Sequence, residues 1–468
     1  MRYKNHFLIL LAALAAVPGI ALRLLGVSFA PPETALIAGA AIVGASFLLL
    51  WACDAAQADI SQSLALAVVA LIAVLPEYAV DMYFTWQAGR HEDSAYAHYA
   101  IANMTGANRL LIGVAWGLIA FISYMRHRGA VMIEAERRLE LFFLGLATVY
   151  ALVIPIKGTL AWYDAIVFLA MYGWYIVLAG KRPRGECEAE GPAELLVRLP
   201  TTPRRMATAA LFVFAAGAIL TNAKPFCEGL IGTGKQLRIN EFLLVQWLAP
   251  IASEAPEFIV AIGFAWRGRA GTGLGSLLSA KLNQWTLLVG MIPAVFAVAH
   301  GTLAHPIPMG SFQMHEILLT AAQSLLAVVL LASMRFTMGG AMLLFGLFAG
   351  QLIAPTIVEA FPAGAPFGLQ TWQIHPIFSL LYVAAAAAIF FHNPRLVYSL
   401  RHGIRAVRGD SPADQGPRGA SDAVLHEAEN DVKTPHCVVC RWRLRAVDQA
   451  QLPAASQPPC PNAGTKTD

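Results

Sequence analysis

Charged residues are scarce in this sequence. Asp, Glu, Lys and Arg make up 13% of its 468 residues, whereas a soluble domain carries about 25%. Hydrophobic residues make up 57%, and the mean hydropathy is +0.58. A chain with so little polar surface cannot cover itself in water, which excludes a soluble globular protein and predicts a membrane protein.

Other features are also missing. Six cysteines in this length do not form a disulfide framework, and Cys53 and Cys227 lie in apolar stretches where cysteine packs as a small hydrophobe. Because no basic run lies within a folded segment, nucleic acid is not an expected partner. No P-loop motif is present, so ATP is not expected to drive the protein directly, and we expect no cofactor.

Long apolar runs take up most of the chain. A spanning helix needs about 20 mainly apolar residues, and twelve segments meet this rule: 7–27, 34–55, 60–87, 97–123, 139–156, 159–180, 207–231, 238–266, 272–299, 313–333, 336–357 and 374–392. The first resembles a signal peptide, because Arg2 and Lys4 precede it. Its length and the lack of a clear cleavage site favour an uncleaved helix. The sequence therefore predicts an all-α polytopic membrane protein.

The distribution of Lys and Arg predicts the orientation. With the N-terminus inside, the basic connections around Arg126, 181–206, Arg267 and Arg335 fall in the cytoplasm, and 300–312 falls outside with no Lys or Arg. This predicts a multi-pass protein of a bacterial-type plasma (inner) membrane with both termini cytoplasmic.

Two segments lack this apolar character. Residues 181–206 are rich in Pro, Gly and Glu and are predicted to form a cytoplasmic linker, and residues 394–468 are predicted to be a disordered cytoplasmic tail. The tail contains one CxxC pair, Cys437 and Cys440, which is weak evidence for zinc without a second pair.

A twelve-residue segment is duplicated. Residues 75–86 recur 180 positions later at 255–266, with identical Pro, Glu, Val, Phe and Trp at matching positions. The connection after the first copy is predicted outside and that after the second inside, so the copies run in opposite directions. An inverted repeat of this kind, with binding residues near the midplane, is typical of secondary transporters.

The duplicated segment carries an acid beside a proline. An ionised carboxylate at the bilayer centre costs roughly 3 kcal/mol, so Glu77 and Glu257 at matching positions indicate function. Pro76 and Pro256 are predicted to kink their helices and free backbone carbonyls. Ca²⁺ binds six to eight oxygens, including carboxylates and carbonyls. We therefore predict that Glu77 and Glu257 are the metal ligands.

Further polar residues surround these acids. Asp81 lies four residues after Glu77, and Glu254 lies three before Glu257, so each shares a face with its partner. The other candidate ligands are Ser253, Asn103, Thr105, Asn108, Asn283 and Gln284. Lys281 needs a charge-compensating partner, for which Glu254 and Asp81 are the candidates, and a titrating pair of this kind could carry protons.

Structural explanations compete with these assignments. Asp81 and Glu254 could lie at the ends of their spans, and Asn103 and Asn108 could join helices by hydrogen bonds. Glu77 or Glu257 could likewise be a buried structural acid. In the loop after the first copy, a surface metal site at His91, Glu92, Asp93 and His98 is an alternative to a solvated loop.

At these residues the chain resembles the sodium/calcium exchanger family of cation antiporters, as a divergent member. Each of that family's two inverted repeats has a Pro-Glu segment preceded by hydroxyl residues, and then a helix with Gly and Asn. The matching segments here are 75–77 and 253–257, followed by 103–108 and 275–281. The resemblance implies that Glu77 and Glu257 bind the transported cation.

The resemblance also implies ten core helices, five in each repeat. It divides the chain into an extra N-terminal helix (1–30), a first repeat (31–180), the linker (181–206), a second repeat (207–360), an extra C-terminal helix (361–393) and the tail (394–468).

Four positions depart from the family pattern. Ala73 and Val74 replace the first hydroxyl pair, Glu254 replaces a hydroxyl in the second repeat, and Lys281 replaces an amide. These changes argue against the usual sodium-for-calcium stoichiometry and leave proton coupling open.

The predicted function is secondary antiport, in which Ca²⁺ or another cation exchanges for Na⁺ or H⁺ by alternating access. The expected partners are these inorganic cations and the bilayer, and the oligomeric state stays open. The alternatives are a sodium/proton antiporter, an intramembrane hydrolase and a non-transporting scaffold.

Overall fold

The backbone of a membrane-spanning segment must satisfy its own hydrogen bonds, which favours helices. The computed structural model describes residues 2–27, 29–60, 72, 74–92, 94–181, 191–360 and 369–392, and they are almost entirely helical. One short antiparallel pair is also present among them, in which Val131–Met132 lies beside Arg335–Phe336.

The helices follow the predicted apolar runs. Those of the first half are α1 (Arg2–Leu25), α2 (Pro31–Ala56), α3 (Leu75–Arg90), α4 (Tyr96–Leu110), α5 (Gly117–His127), α6 (Arg138–Ala151), α7 (Val153–Lys157) and α8 (Trp162–Ala179). Those that follow are α9 (Ala193–Val197), α10 (Thr201–Leu237), α11 (Glu241–Trp266), α12 (Ala270–Asn283), α13 (Val289–His300), α14 (Ser311–Leu331), α15 (Met338–Ala360) and α16 (Thr371–His392).

Two long spans each contain a π-helical turn. Leu111–Trp116 joins α4 to α5, and Gln284–Leu288 joins α12 to α13. Each π-helical turn and its two flanking α-helices therefore form one continuous helix. A single-residue change of register of this kind occurs often at functional sites. Each of these two spans follows one of the Pro-Glu helices along the chain.

The predicted polytopic all-α class is confirmed. Eleven helices of the described residues are long and apolar enough to cross a membrane, and they match eleven of the twelve predicted segments. The remaining segment, 60–87, lies partly outside the described residues, and its described part is α3. Helices α9 and α10 occupy part of the predicted linker at 181–206. The predicted tail at 394–468 lies outside the described residues.

Contacts between the loops that connect the helices agree with the predicted assignment of each loop to one of the two membrane faces. Connections predicted to be cytoplasmic touch one another: Asn5 with Gly191, Asp59 with Arg204, and Arg126 with Trp266. Connections predicted to be outside also touch one another: Glu92 with His305, and Leu160 with Ile307. Hydrogen bonds from Arg204 lower the pKa of Asp59 to about 2. Which face is the cytoplasmic one stays a prediction.

The two halves pack crosswise at the centre. Helix α3 lies against α13 of the second half, and α11 lies against α4 of the first half. Glycines allow both close approaches. A Cβ atom added at Gly89 would lie 2.5 Å from the Phe296 carbonyl oxygen, and one at Gly106 would lie 1.9 Å from the Gln246 carbonyl oxygen. The Pro-Glu helix of each half is therefore held by the other half.

Gly106→Ala should destabilise the protein, because its methyl group would collide with the backbone of α11. Overpacking of this kind costs about 1–3 kcal/mol, which should appear as a lower thermal midpoint in detergent. Gly217→Ala is the matched control, since nothing lies within 4 Å of its added Cβ, and Ala in a helix interior is favoured over Gly by about 0.5–1 kcal/mol. Equal midpoints for Gly106→Ala and the wild type would contradict this packing.

Candidate functional site

The two Pro-Glu segments differ in local structure. Pro256 lies inside the continuous helix α11, as predicted, and has no N–H to donate to the Ala252 carbonyl. Pro76 instead lies in the first turn of α3, which begins at Leu75, so the prediction that Pro76 kinks a helix interior is wrong. Proline suits a first turn, because the N–H groups there have no partner within the helix.

This placement brings Glu77 into the first turn of α3. The free N–H groups of a helix N-terminus carry a partial positive charge that favours a carboxylate. The Glu77 side chain is 2% exposed, and the Glu257 side chain is partly buried in the interior of α11. The two acids therefore occupy different local environments despite their matching positions in the duplication.

The carboxylates of the two halves meet in the interior. Glu77 interacts electrostatically with Glu257, Glu254 and Asp81, and Glu254 interacts with Glu257 and Gln284. Asp81 and Glu254 are 0% and 1% exposed. The alternative that Asp81 and Glu254 extend to the membrane surface is therefore wrong.

Many oxygens of this group have no hydrogen-bond donor. Among the described residues, the following buried oxygens lack a partner: Glu77 Oε2, Asp81 Oδ2, Asn103 Oδ1, Glu254 Oε1 and Oε2, Glu257 Oε2 and Gln284 Oε1. Buried polar atoms are nearly always satisfied, and an exception points to a missing ion, water or proton. We call the five residues Glu77, Asp81, Asn103, Glu254 and Glu257 the acidic centre.

Asn103 links the acidic centre to the helix after the first Pro-Glu segment. Its Nδ2 donates to Asp81 Oδ1 over 2.6 Å, which leaves Asn103 Oδ1 and Asp81 Oδ2 without partners. A carboxylate and an amide oxygen are thus presented together by α3 and α4.

Three predicted ligands are already engaged by protein groups. Ser253 Oγ donates to the Ala249 carbonyl over 3.2 Å. Asn108 Nδ2 donates to the Met104 carbonyl over 2.8 Å. Asn283 Oδ1 accepts from the Tyr78 hydroxyl over 3.0 Å. In this conformation Ser253 bonds within its own helix, whereas Asn108 and Asn283 also connect helices.

Lys281 is fully buried and takes a different partner from those predicted. Its Nζ donates to Asn108 Oδ1 over 2.7 Å and lies 4.4 Å from the centre of the Trp285 ring. Within the described residues it forms no ion pair within 4.0 Å with Glu254 or Asp81, although it attracts Glu254 at longer range. The ammonium thus occupies the side-chain oxygen of Asn108, one of the predicted cation ligands.

The carboxylates of the acidic centre do not converge on a single point. Over the described part of the chain, no three of its acids bring one oxygen each within 4.8 Å of one another. A Ca²⁺ ion with bonds of about 2.3–2.6 Å would therefore draw on one or two carboxylates together with carbonyl, amide or water oxygens.

A second buried charge cluster was missed at the level of sequence. Arg109 and Glu316 form an ion pair, and both side chains are fully buried. Gln246 Nε2 donates to Glu316 Oε2 over 2.8 Å, and His375 Nδ1 lies 3.3 Å from Glu316 Oε1. The Arg109 guanidinium also lies over the Trp247 ring, 5.2 Å from its centre. Here a protein cation neutralises the acid, although Glu316 Oε1 has no hydrogen-bond donor among the described residues.

The signal for this cluster was present in the chain. Arg109 and Glu316 each interrupt an apolar run of spanning length, and charges inside such runs are seldom accidental. Their 207-residue separation hides the pairing, because no local pattern indicates which distant charges meet.

Glu316→Gln should destabilise the protein, because it leaves the Arg109 charge buried without its partner. Breaking one side of a buried pair costs about 3–5 kcal/mol, to be measured as a loss of thermal stability in detergent. The control is Glu194→Gln, which removes the exposed Glu194–Arg198 pair and should cost less than about 1 kcal/mol.

An apolar replacement of both partners gives a further check. The double variant Arg109→Met and Glu316→Met should recover much of the lost stability, since an apolar pair of similar volume often replaces a buried ion pair at little cost. A Glu316→Gln protein as stable as the wild type would refute the pairing.

The fold and its buried acids define a polytopic membrane protein built around a polar interior. A family model described as sodium/calcium exchanger protein matches residues 34–181 and 207–356, more than half of the chain. The chain belongs to the sodium/calcium exchanger protein family, and the predicted resemblance is confirmed.

Individual relatives support this membership. The crystal structure of the H⁺/Ca²⁺ exchanger CAX is 40% identical, covers 86% of this chain and 99% of its own, and superposes with a TM-score of 0.79. An uncharacterized membrane protein of Methanocaldococcus jannaschii is 24% identical over 195 residues. A protein of Alkalimonas amylolytica named "Putative antiporter CaxA" is 25% identical over 204 residues.

The matches to the two sequence relatives are partial. Each covers 40% of this chain, and they span 60% of the archaeal protein and 61% of CaxA. The match to the CAX structure, by contrast, extends over 99% of that chain.

Proposed function

We propose that this protein is a secondary antiporter that exchanges Ca²⁺ for H⁺ across the membrane by alternating access, with Glu77 and Glu257 as principal ligands. The observation that carries the proposal is the acidic centre, in which each of the four acids has at least one buried oxygen without a protein donor. The 40% identity to a structure named as an H⁺/Ca²⁺ exchanger supports this choice of ions.

The chemistry of the centre follows from its burial. An ionised carboxylate removed from water is costly unless a cation or a proton neutralises it. At Glu316 an arginine does this, whereas at Glu77 and Glu257 no protein cation lies within 4.0 Å among the described residues. Ca²⁺ and protons therefore compete for the same oxygens, and this competition is what couples their movement in opposite directions.

Lys281 favours protons over sodium as the counter-ion. Sodium sites need neutral oxygens, and the Lys281 ammonium already occupies Asn108 Oδ1. A fixed positive charge that attracts Glu254 also opposes the binding of additional monovalent cations. The acids that remain, Glu77, Glu257 and Asp81, accept either one divalent cation or protons.

The crosswise packing supports alternating access. Each Pro-Glu helix lies against the π-containing span of the other half, so a rocking of one half against the other moves both half-sites together. The ions bound at the centre would then face one side of the membrane or the other, as in transporters built from inverted repeats.

Glu77→Gln and Glu257→Gln should each abolish Ca²⁺ uptake driven by a pH gradient in reconstituted vesicles. The amide keeps the shape of the side chain but removes the charge that binds Ca²⁺ and the group that releases H⁺. The control is Glu241→Gln, in the first turn of α11, which should keep wild-type uptake. Normal uptake by either Pro-Glu variant, with normal yield and folding, would refute the ligand assignment.

The imposed gradients separate the alternatives. Ca²⁺ uptake that follows the pH gradient supports the proposal, and uptake that follows only an outward Na⁺ gradient contradicts the choice of protons. Glu257-dependent Na⁺ movement without Ca²⁺ movement would instead identify a sodium/proton antiporter, and no ion movement would favour the hydrolase or scaffold.

Lys281→Asn should introduce sodium dependence, because it frees Asn108 Oδ1 and removes the fixed charge. We expect an outward Na⁺ gradient to stimulate Ca²⁺ uptake in this variant but not in the wild type. Lys235→Asn, at an exposed position near the end of α10, is the control. Identical Na⁺ and pH profiles for Lys281→Asn and the wild type would contradict the role given to Lys281.

A further inference from the structure

Two histidines and a glutamate converge outside the acidic centre. Glu92 follows α3, His300 ends α13, and His305 lies in the connection to α14. One ligand atom from each of the three lies within 4.8 Å of the others. We call Glu92, His300 and His305 the loop triad.

The distances in the loop triad suit a transition metal. Glu92 Oε1 lies 2.7 Å from His305 Nε2 and 3.6 Å from His300 Nδ1. Tetrahedral zinc with bonds of about 2.0–2.2 Å separates its ligand atoms by about 3.3 Å, a value between these two distances. Two imidazoles and one carboxylate form a common three-ligand zinc set in which water takes the fourth position.

Packing holds the two imidazoles in place. The His300 and His305 rings stack with their centres 4.3 Å apart, and both stack on Phe296 at 6.2 and 6.0 Å. The side chains of Glu92, His300 and His305 are 40%, 28% and 43% exposed, so a metal ion could reach them from solvent.

We infer that the loop triad is a binding site for Zn²⁺ or a similar transition-metal ion, separate from the Ca²⁺ centre. Imidazole nitrogens favour zinc, copper and nickel, whereas Ca²⁺ prefers oxygen ligands alone. The metal would join Glu92, at the end of the helix that carries Glu77, to His300 and His305 in the second half. It would thus clamp α3 to α13, which already touch at Gly89.

The clamp has a consequence that rests on the proposed function. If the two halves move relative to one another during exchange, a bond between α3 and α13 holds them in one arrangement. Zn²⁺ at the face that carries the loop triad should then inhibit Ca²⁺ uptake. The binding of zinc itself does not depend on which ions are transported.

Zinc binding can be measured directly by calorimetric titration of the full chain in detergent with ZnCl₂. In every protein measured, Cys437 and Cys440 are replaced by Ser so that tail thiols take no zinc. We expect one class of sites to weaken by more than about 100-fold in Glu92→Gln, His300→Gln and His305→Gln, since even changes outside the ligand set cost 10- to 100-fold. His91→Gln, an exposed neighbour of the loop triad, is the matched control and should titrate as the parent protein.

Two further measurements separate binding from damage to the fold. The thermal midpoints without metal should be equal in all variants, and zinc should raise the midpoint of the parent and of His91→Gln but not of the triad variants. A zinc titration that is unchanged in the triad variants would overturn the site.

Transport provides the test of the clamp. Zinc should inhibit Ca²⁺ uptake by the parent protein and by His91→Gln, and the inhibition should be relieved in His305→Gln. Equal inhibition of the parent and His305→Gln would overturn the clamp. Loss of the proposed exchange activity would leave the calorimetric result intact, so failure of the two proposals can be told apart.

Discussion

Uncompensated negative charge in an apolar interior is the constraint on which the centre of this protein depends. Two of the groups of buried acids in the described residues differ in how their charge is met. Glu316 is neutralised by Arg109 and hydrogen-bonded by Gln246, which makes it a fixed part of the structure. In the acidic centre, oxygens of Glu77, Asp81, Glu254 and Glu257 have no donor. Since a buried charge is costly unless it is neutralised, this difference is the basis for proposing that the second group binds exchangeable ions or protons.

Crosswise packing is what brings these acids together. Each Pro-Glu helix packs against the long π-containing span of the opposite half. Gly89 and Gly106 allow the backbones of the packed helices to approach so closely that a side chain at either position would collide. The same contact connects the acidic centre to the rest of the molecule. The Arg109–Glu316 cluster lies where α4 meets α14, and the loop triad lies at the ends of α3 and α13. Changes far from the acidic centre can therefore affect it through rigid helices.

Lys281 is one of the residues by which this chain departs from the sodium/calcium exchanger family pattern in the polar interior. Its ammonium lies in the second half, yet it bonds to Asn108 of the first, so it joins the two halves and fills part of the polar interior. Under the proposed function, its position influences which ions the remaining oxygens can hold. The pairing expected from charge alone, with Glu254 or Asp81, does not form within 4.0 Å in the described residues. An amide oxygen and the Trp285 ring face stabilise the ammonium instead.

The sequence by itself determined the membrane class, eleven of the spans and the duplicated Pro-Glu segments, because hydropathy and repetition are local properties of the chain. It also identified the acids of the centre, since a charge within a long apolar run stands out. Tertiary structure alone decided that Pro76 lies in the first turn of a helix, that Lys281 binds Asn108, and that Asn283 accepts a hydrogen bond from Tyr78. It likewise decided that Arg109 meets Glu316 and that Glu92 meets His300 and His305. These contacts join residues far apart in the chain, and only the packing of helices from both halves sets their distances.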